Sequence, residues 1–100
     1  MPGENWVRIC PPDRLAVGLQ MPVAAQSQVF VQPWEGAAGA DEMVAVARAC
    51  ERAGFFYLGV CDHIAIPRSH VPQMSATWYD TVATLGFLAG ATERIRVLSY

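Results

Sequence analysis

The spacing of apolar residues changes period along the chain, and those changes mark its elements. From Asp41 onward, Met43, Val46, Ala47, Cys50 and Ala53 recur at helical spacing and make one apolar face. Asp41 and Glu42 stand where a first helical turn favours negative charge, and Arg48 and Arg52 where a last turn favours positive charge. Gly54 follows at once, the residue that best accepts the positive φ at a helix end. Phe55–Cys61 is then an unbroken apolar run, as expected of a strand buried on both faces in a parallel sheet covered by helices. The polarity switches abruptly at Asp62-His63.

The rest of the chain repeats this alternation. Arg14–Pro22 is a short apolar run stopped by proline, a candidate first strand with Gln20 near its carboxyl end. Ala24–Gly39 is rich in Gln, Ala and Gly and reads as a long loop, with Val29–Val31 a possible short strand inside it. Pro67 and Pro72 exclude a regular helix across the loop Ala65–Ala76. Thr77-x-x-Asp80 fits a capping box, and a helix from Trp78 to Ala91 is expected to bury Val82, Leu85, Leu88 and Ala89. Gly86 and Gly90 would let that helix pack closely on the sheet. Ile95–Tyr100 begins a third strand. The order β-α-β-α-β predicts right-handed crossovers and an α/β fold with a parallel sheet. Both long loops leave the carboxyl ends of strands, the face on which such folds carry their chemistry. Three parallel strands ending at Tyr100 would leave a hydrophobic edge unpaired, so these residues are expected to form the front part of a larger domain.

Composition narrows the function classes. At 53% hydrophobic and 16% charged, the chain is of globular rather than disordered type. Seven basic and nine acidic residues give a net charge of -2, which argues against a nucleic-acid partner. No apolar run reaches the roughly 18 residues of a membrane span, and no basic-then-apolar leader opens the chain, so the expected compartment is cytoplasmic. Cys10, Cys50 and Cys61 are too few and too scattered for a disulfide framework, and Cys50 and Cys61 fall on faces expected to be buried. No Cys/His cluster has metal-ligand spacing, and no dinucleotide fingerprint, phosphate loop or nucleophile elbow is present.

Asp62-His63 is the sharpest candidate. One reading is a histidine offered to a ligand by a rigid strand, with proton transfer available near neutral pH. The other is that Asp62 caps the next turn and His63 is an ordinary polar strand end. Arg68 could meet an anionic group, while His70 beside it reads as a surface residue. Trp34, Trp78 and Tyr79 could wall a planar ligand or anchor the core. Gln20 and Ser99 each end an apolar strand with a polar side chain, and either could point into a pocket or satisfy local backbone.

The segment ADEMVAVARACERAGFFYLGVCDHIAIP, followed by a helix ending in LAGATERIRV, resembles the luciferase-like monooxygenase superfamily, and within it the branch that uses the deazaflavin coenzyme F420. The resemblance runs from about Leu15 to Tyr100. It implies the N-terminal part of a TIM-type (β/α)8 barrel over residues 15–100, preceded by an extension over residues 1–14. It further implies an oxidoreductase transferring hydride between coenzyme F420 and a small organic substrate, with an FMN-dependent monooxygenase as the alternative and a homodimer as the possible assembly. By resemblance His63 would lie beside the reactive ring and assist transfer, Asp62 would help hold the cofactor or orient the histidine, and Ser99 and Tyr100, at the end of the strand beneath the ring, would help hold the cofactor. Gln20 and Trp34 are, from the residues alone, candidates for the substrate pocket. A single Asp-His matches the deazaflavin branch better than the Glu-His-His of light-emitting relatives. The chain departs from the family at Gly59, where a tryptophan is usual, and at Phe56, where an acidic residue is usual. Five elements are too few to close an eight-stranded barrel, so a chain ending at Tyr100 is expected to be inactive alone, a non-catalytic fragment or binding module.

Overall fold

The structure, a computed structural model, describes residues 9–25 and 27–100. The proposed N-terminal extension lies outside the described residues as far as position 8. Three parallel strands, β1 (Gly18–Gln20), β2 (Tyr57–Val60) and β3 (Arg96–Ser99), form one sheet in the order β1-β2-β3. Helix α1 (Ala40–Arg52) connects the first two strands. A one-turn helix α2 (Val71–Met74) and helix α3 (Thr81–Ala91) connect the second and third. The fold is thus mixed α/β with a small parallel sheet.

Side chains alternate across a strand, so register decides what each face carries. Leu58 pairs with Leu19 on one side and Val97 on the other, and this row packs on the helices. Leu58, Val60, Met21, Met43, Ala47, Cys50 and Leu88 are buried together there. The opposite rows are Gly18–Tyr57–Arg96 and Gln20–Gly59–Leu98. That face carries no helix among the described residues, and Leu98 is 45% exposed. The apolar run of β2 therefore has one face under helices and the other under tyrosine rings. A Cβ on Gly18 would come within 2.2 Å of the Tyr57 ring, and one on Gly59 within 2.8 Å of the Tyr100 ring.

Helix α1 forms as its pattern predicts. Glu42 accepts a hydrogen bond from the Gly39 N–H at 2.7 Å, and Gly54 takes φ +83 at the other end. Met43, Ala47 and Cys50 are buried, Val46 is partly so, and Ala53 is exposed. Helix α3 departs from expectation in start and in face. Its N-cap is Asp80, whose Oδ1 accepts from the Ala83 N–H at 2.8 Å, so Trp78 stays outside the helix. Thr81, Thr84 and Leu88 are buried, whereas Val82 is 79% exposed. The helix is apolar nearly all round, so periodicity alone could not choose its buried side. The threonines tolerate burial because Thr81 Oγ1 donates to the Cys61 carbonyl and Thr84 Oγ1 to the Asp80 carbonyl, both at 2.6 Å. Gly86 and Gly90 are exposed with open space about them, and do not mediate close packing on the sheet.

Two connections also differ. Val29–Val31 is not a strand; the Phe30 and Val31 N–H groups donate back to the Ser27 carbonyl in a turn. Pro72 sits in the first turn of α2, where its missing N–H costs nothing. At the amino end of the sheet, Phe56 carries the Arg96 guanidinium 4.0 Å above its ring, a cation–π contact.

The turn into β3 is fastened by Glu51 at the end of α1. Its carboxylate accepts from the N–H groups of Glu93, Arg94 and Ile95, at 2.9, 2.6 and 2.8 Å to Oε2. These donors, Arg94 foremost and then Ile95, hold the carboxyl below its ordinary pKa, against a smaller opposing effect of burial. A carboxylate depressed in the folded state stabilises the fold above its unfolded pKa and loses that stabilisation as pH falls through the folded value. Glu51→Gln should therefore lower the urea midpoint at about pH 7, with the gap to the parent closing as pH falls below the ordinary carboxylate range and through the depressed folded value. Urea titrations followed by circular dichroism check this; an unchanged gap at low pH would assign the loss to shape rather than charge.

Candidate active site at the carboxyl end of the sheet

The strand ends and the loops that leave them converge on one rim. Strand pairing continues past β2, because the Asp62 N–H donates to the Tyr100 carbonyl at 2.8 Å. The Thr81 hydroxyl binds the Cys61 carbonyl, so the first turn of α3 clamps the chain immediately before Asp62 and His63. Ser99 Oγ donates to Asp62 Oδ2 across the two strand ends in a long 3.4 Å contact. Asp62, His63 and Ser99 are all exposed there.

His63 packs its ring on Trp78, with centroids 4.5 Å apart and planes tilted by 53°. Trp78 is itself fixed, since its indole N–H donates to the Ser75 carbonyl at 3.1 Å. Its backbone makes an antiparallel bridge with Ala25, and the Tyr79 N–H donates to the Ala24 carbonyl at 3.3 Å. The loop after β1 is thereby joined to the loop after β2, directly beside the imidazole.

A second line of groups crosses the open face of the sheet. Gln20 Nε2 donates to Cys61 Sγ at 3.3 Å, and Cys61 Sγ donates to Tyr100 Oη at 3.1 Å. Burial of the ring against the sheet, then the thiol contact and the nearby Tyr57, push the Tyr100 phenol well above its usual pKa. The phenol therefore stays protonated at neutral pH, and with the thiol as its donor its own O–H is free to be given to a ligand. Cys61 is only half-buried, contrary to the expectation of a hydrophobic burial site.

Beyond Gln20, a cavity of about 280 Å³ opens between the end of β1 and the loop that follows. Met21, Ala25, Phe30 and Val31 supply most of its wall, with Gln20 and Glu35 as its polar groups. Glu35 belongs to the 3-10 turn Pro33–Ala37 and is buried. Its Oε1 accepts from the Val23 N–H at 2.7 Å and its Oε2 from the Gln32 N–H at 2.5 Å. Val23 is fully buried with φ +72, an unfavourable conformation for a β-branched residue, and the Glu35 carboxylate helps to hold it.

Of the residues singled out in the sequence, Asp62 and Ser99 meet each other, His63 meets Trp78, and Gln20 and Tyr100 are joined through Cys61. Trp34 is half-exposed on the 3-10 turn and does not line the cavity. Arg68 and His70 are exposed in a short 3-10 turn of the second loop. Sequence reasoning missed Thr81, Cys61 and Glu35. Thr81 alone left a signal, a hydroxyl at the start of an apolar helix and at helical spacing from Thr84.

Asp62, His63 and Ser99 thus bring an exposed carboxylate, imidazole and hydroxyl to one rim. Among the described residues no group of His, Cys, Asp and Glu could hold a metal ion, and no helix is long and apolar enough to cross a membrane. No curated protein and no solved structure matches the chain significantly. The model of one family, described as luciferase-like monooxygenase, matches residues 21–99.

Proposed function

The chain belongs to the luciferase-like monooxygenase family, and from that premise we propose that it is an oxidoreductase that uses coenzyme F420 for hydride transfer to or from a small organic substrate. Members of the family use flavin or F420 cofactors. The observation that carries the reading is the clamped end of β2. Asp62 and His63 leave the central strand immediately after a carbonyl fixed by Thr81, and both side chains are exposed at the carboxyl rim.

We further propose that residues 15–100 are the opening β-α-β-α-β part of a (β/α)8 barrel. The open face of the sheet would then be the barrel's interior, and the rim its mouth. The bound deazaflavin would supply a carbon that takes or gives a hydride. Asp62 and the Ser99 hydroxyl, whose proton goes to Asp62, would accept hydrogen bonds along its polar edge, and Tyr100 would donate a hydrogen bond from the sheet face. His63, steadied by Trp78, would hold a proton on one imidazole nitrogen and exchange it with the substrate's heteroatom as the hydride moves. Arg68 would neutralise the cofactor phosphate.

Titrating the natural full-length protein with coenzyme F420 and with FMN, followed by fluorescence, tests this. Saturable binding of the deazaflavin with weaker or no binding of FMN is expected. Binding of FMN alone would move the protein to the flavin-dependent monooxygenases, and binding of neither would overturn the redox reading.

A further inference from the structure

We propose that the cavity after β1 is a binding site for a neutral, apolar molecule bearing one hydroxyl group, which Gln20 orients. The assignment rests on the carboxyl rim being the redox site, because it makes this cavity the substrate's place beside it.

The cavity is the right size and lies in the right place. At about 280 Å³ it holds about nine groups of water size. Ala25 belongs both to its wall and to the bridge with Trp78, and Trp78 carries the His63 ring. A molecule seated there is one residue away from the aromatic support of the imidazole.

The lining specifies the chemistry of the occupant. Met21, Ala25, Phe30 and Val31 favour an apolar body. Gln20 gives one amide N–H to the Cys61 sulfur, which fixes the amide and leaves its oxygen to accept from, and its second N–H to donate to, a ligand hydroxyl. Among the described residues no arginine or histidine lines the cavity, whereas the buried Glu35 carboxylate does. Both Glu35 oxygens already accept from backbone N–H groups, and no described cation in the lining pairs with them. A carboxylate ligand would meet that like charge with no described cation beside it, so a neutral occupant is favoured over an anion.

The wall is also preformed. Val23 is held at positive φ, with the Glu35 carboxylate on its N–H, and Ser27 is buried with its hydroxyl accepting from the Val29 N–H at 3.3 Å. Strain maintained by surrounding structure is a common property of ligand-binding loops.

The test uses cyclohexanol and cyclohexanecarboxylate as probes of similar body and different charge, with amide NMR spectra of the full natural chain. Cyclohexanol should shift the Ala25 and Val31 amides and the Gln20 side-chain NH2 saturably. The carboxylate should bind at least about tenfold more weakly. Ala25→Leu, which fills the wall, should abolish the cyclohexanol shifts, and Gln20→Leu should weaken them about tenfold through loss of one hydrogen bond. Equal shifts by both probes, no shifts, or shifts confined to Tyr57 and Leu98 on the open sheet face would overturn the proposal. If either variant fails to fold by circular dichroism, the two probes on the parent chain still decide. A deazaflavin titration run in parallel separates the two claims. Cofactor binding without probe binding overturns the cavity alone, and probe binding without cofactor binding overturns the redox reading alone.

Discussion

Replacing His63 with alanine is expected to slow hydride transfer by about 10²- to 10⁴-fold, the range that a positioned acid or base contributes. The fold should survive, because the side chain is exposed and its stacking on Trp78 is worth only about 0.5–1.5 kcal/mol. Three features make the imidazole the group to remove. It follows the central strand, the carbonyl two residues before it is fixed by Thr81, and its ring rests on an aromatic that is itself hydrogen-bonded. Stopped-flow reduction of bound cofactor by substrate measures the transfer step directly, and cofactor titration shows whether binding is retained. A rate within about threefold of the parent, with cofactor bound, would remove His63 from the mechanism and leave the protonated Tyr100 as the donor at the rim. His63→Asn adds a discriminating readout. An amide at this position keeps a hydrogen-bond donor but cannot exchange a proton, so a merely positioning role would be rescued and a proton-transfer role would not.

The parts of this fold that the sequence made legible are those set by local rules. Helix α1 announces itself because its acidic start, basic finish, apolar stripe and terminal Gly54 all lie within a few residues of one another. The end of β2 is equally plain, since Asp62-His63 interrupts a long apolar run. What stayed hidden depends on partners far along the chain. The role of Glu35 arises only when its turn folds back on Val23, and that of Glu51 only when the turn at residues 93–95 is brought against α1. Cys61 reads as a core residue because its neighbours are apolar; its contacts to Gln20 and Tyr100 come from strand register, which three short strands do not encode locally. In α3 the competing choices were nearly equal. With apolar residues on every side, the buried face went to Thr81, Thr84 and Leu88, where the two hydroxyls reach carbonyls at the end of β2 and at the cap.

The same register accounts for the second large expected effect, which falls on stability and not on chemistry. Leu58→Ala should destabilise the fold by about 2–5 kcal/mol, the range for deleting a buried leucine side chain without collapse of the space it leaves. Leu58 has no exposed surface, sits mid-strand between Leu19 and Val97, and shares the core with Met43, Ala47 and Leu88. Collapse is resisted because both flanking strands are held by ladder hydrogen bonds, which run on to Met21 beside β1 and to Asp62 and Tyr100 beside β3. A chain of this length has a total stability on the order of 5–15 kcal/mol, so the change removes a large fraction of it. The midpoint of urea unfolding should fall sharply. Any loss of activity should follow the folded fraction, with the rate per folded molecule unchanged, because Leu58 faces the helices while the proposed chemistry lies at the strand end and on the other face. His63→Ala should do the reverse, sparing the midpoint and cutting the rate. A Leu58→Ala protein that unfolds at the parental midpoint would mean that β2 is not the centre of the core. The rigid presentation of Asp62 and His63 would then lose its physical basis.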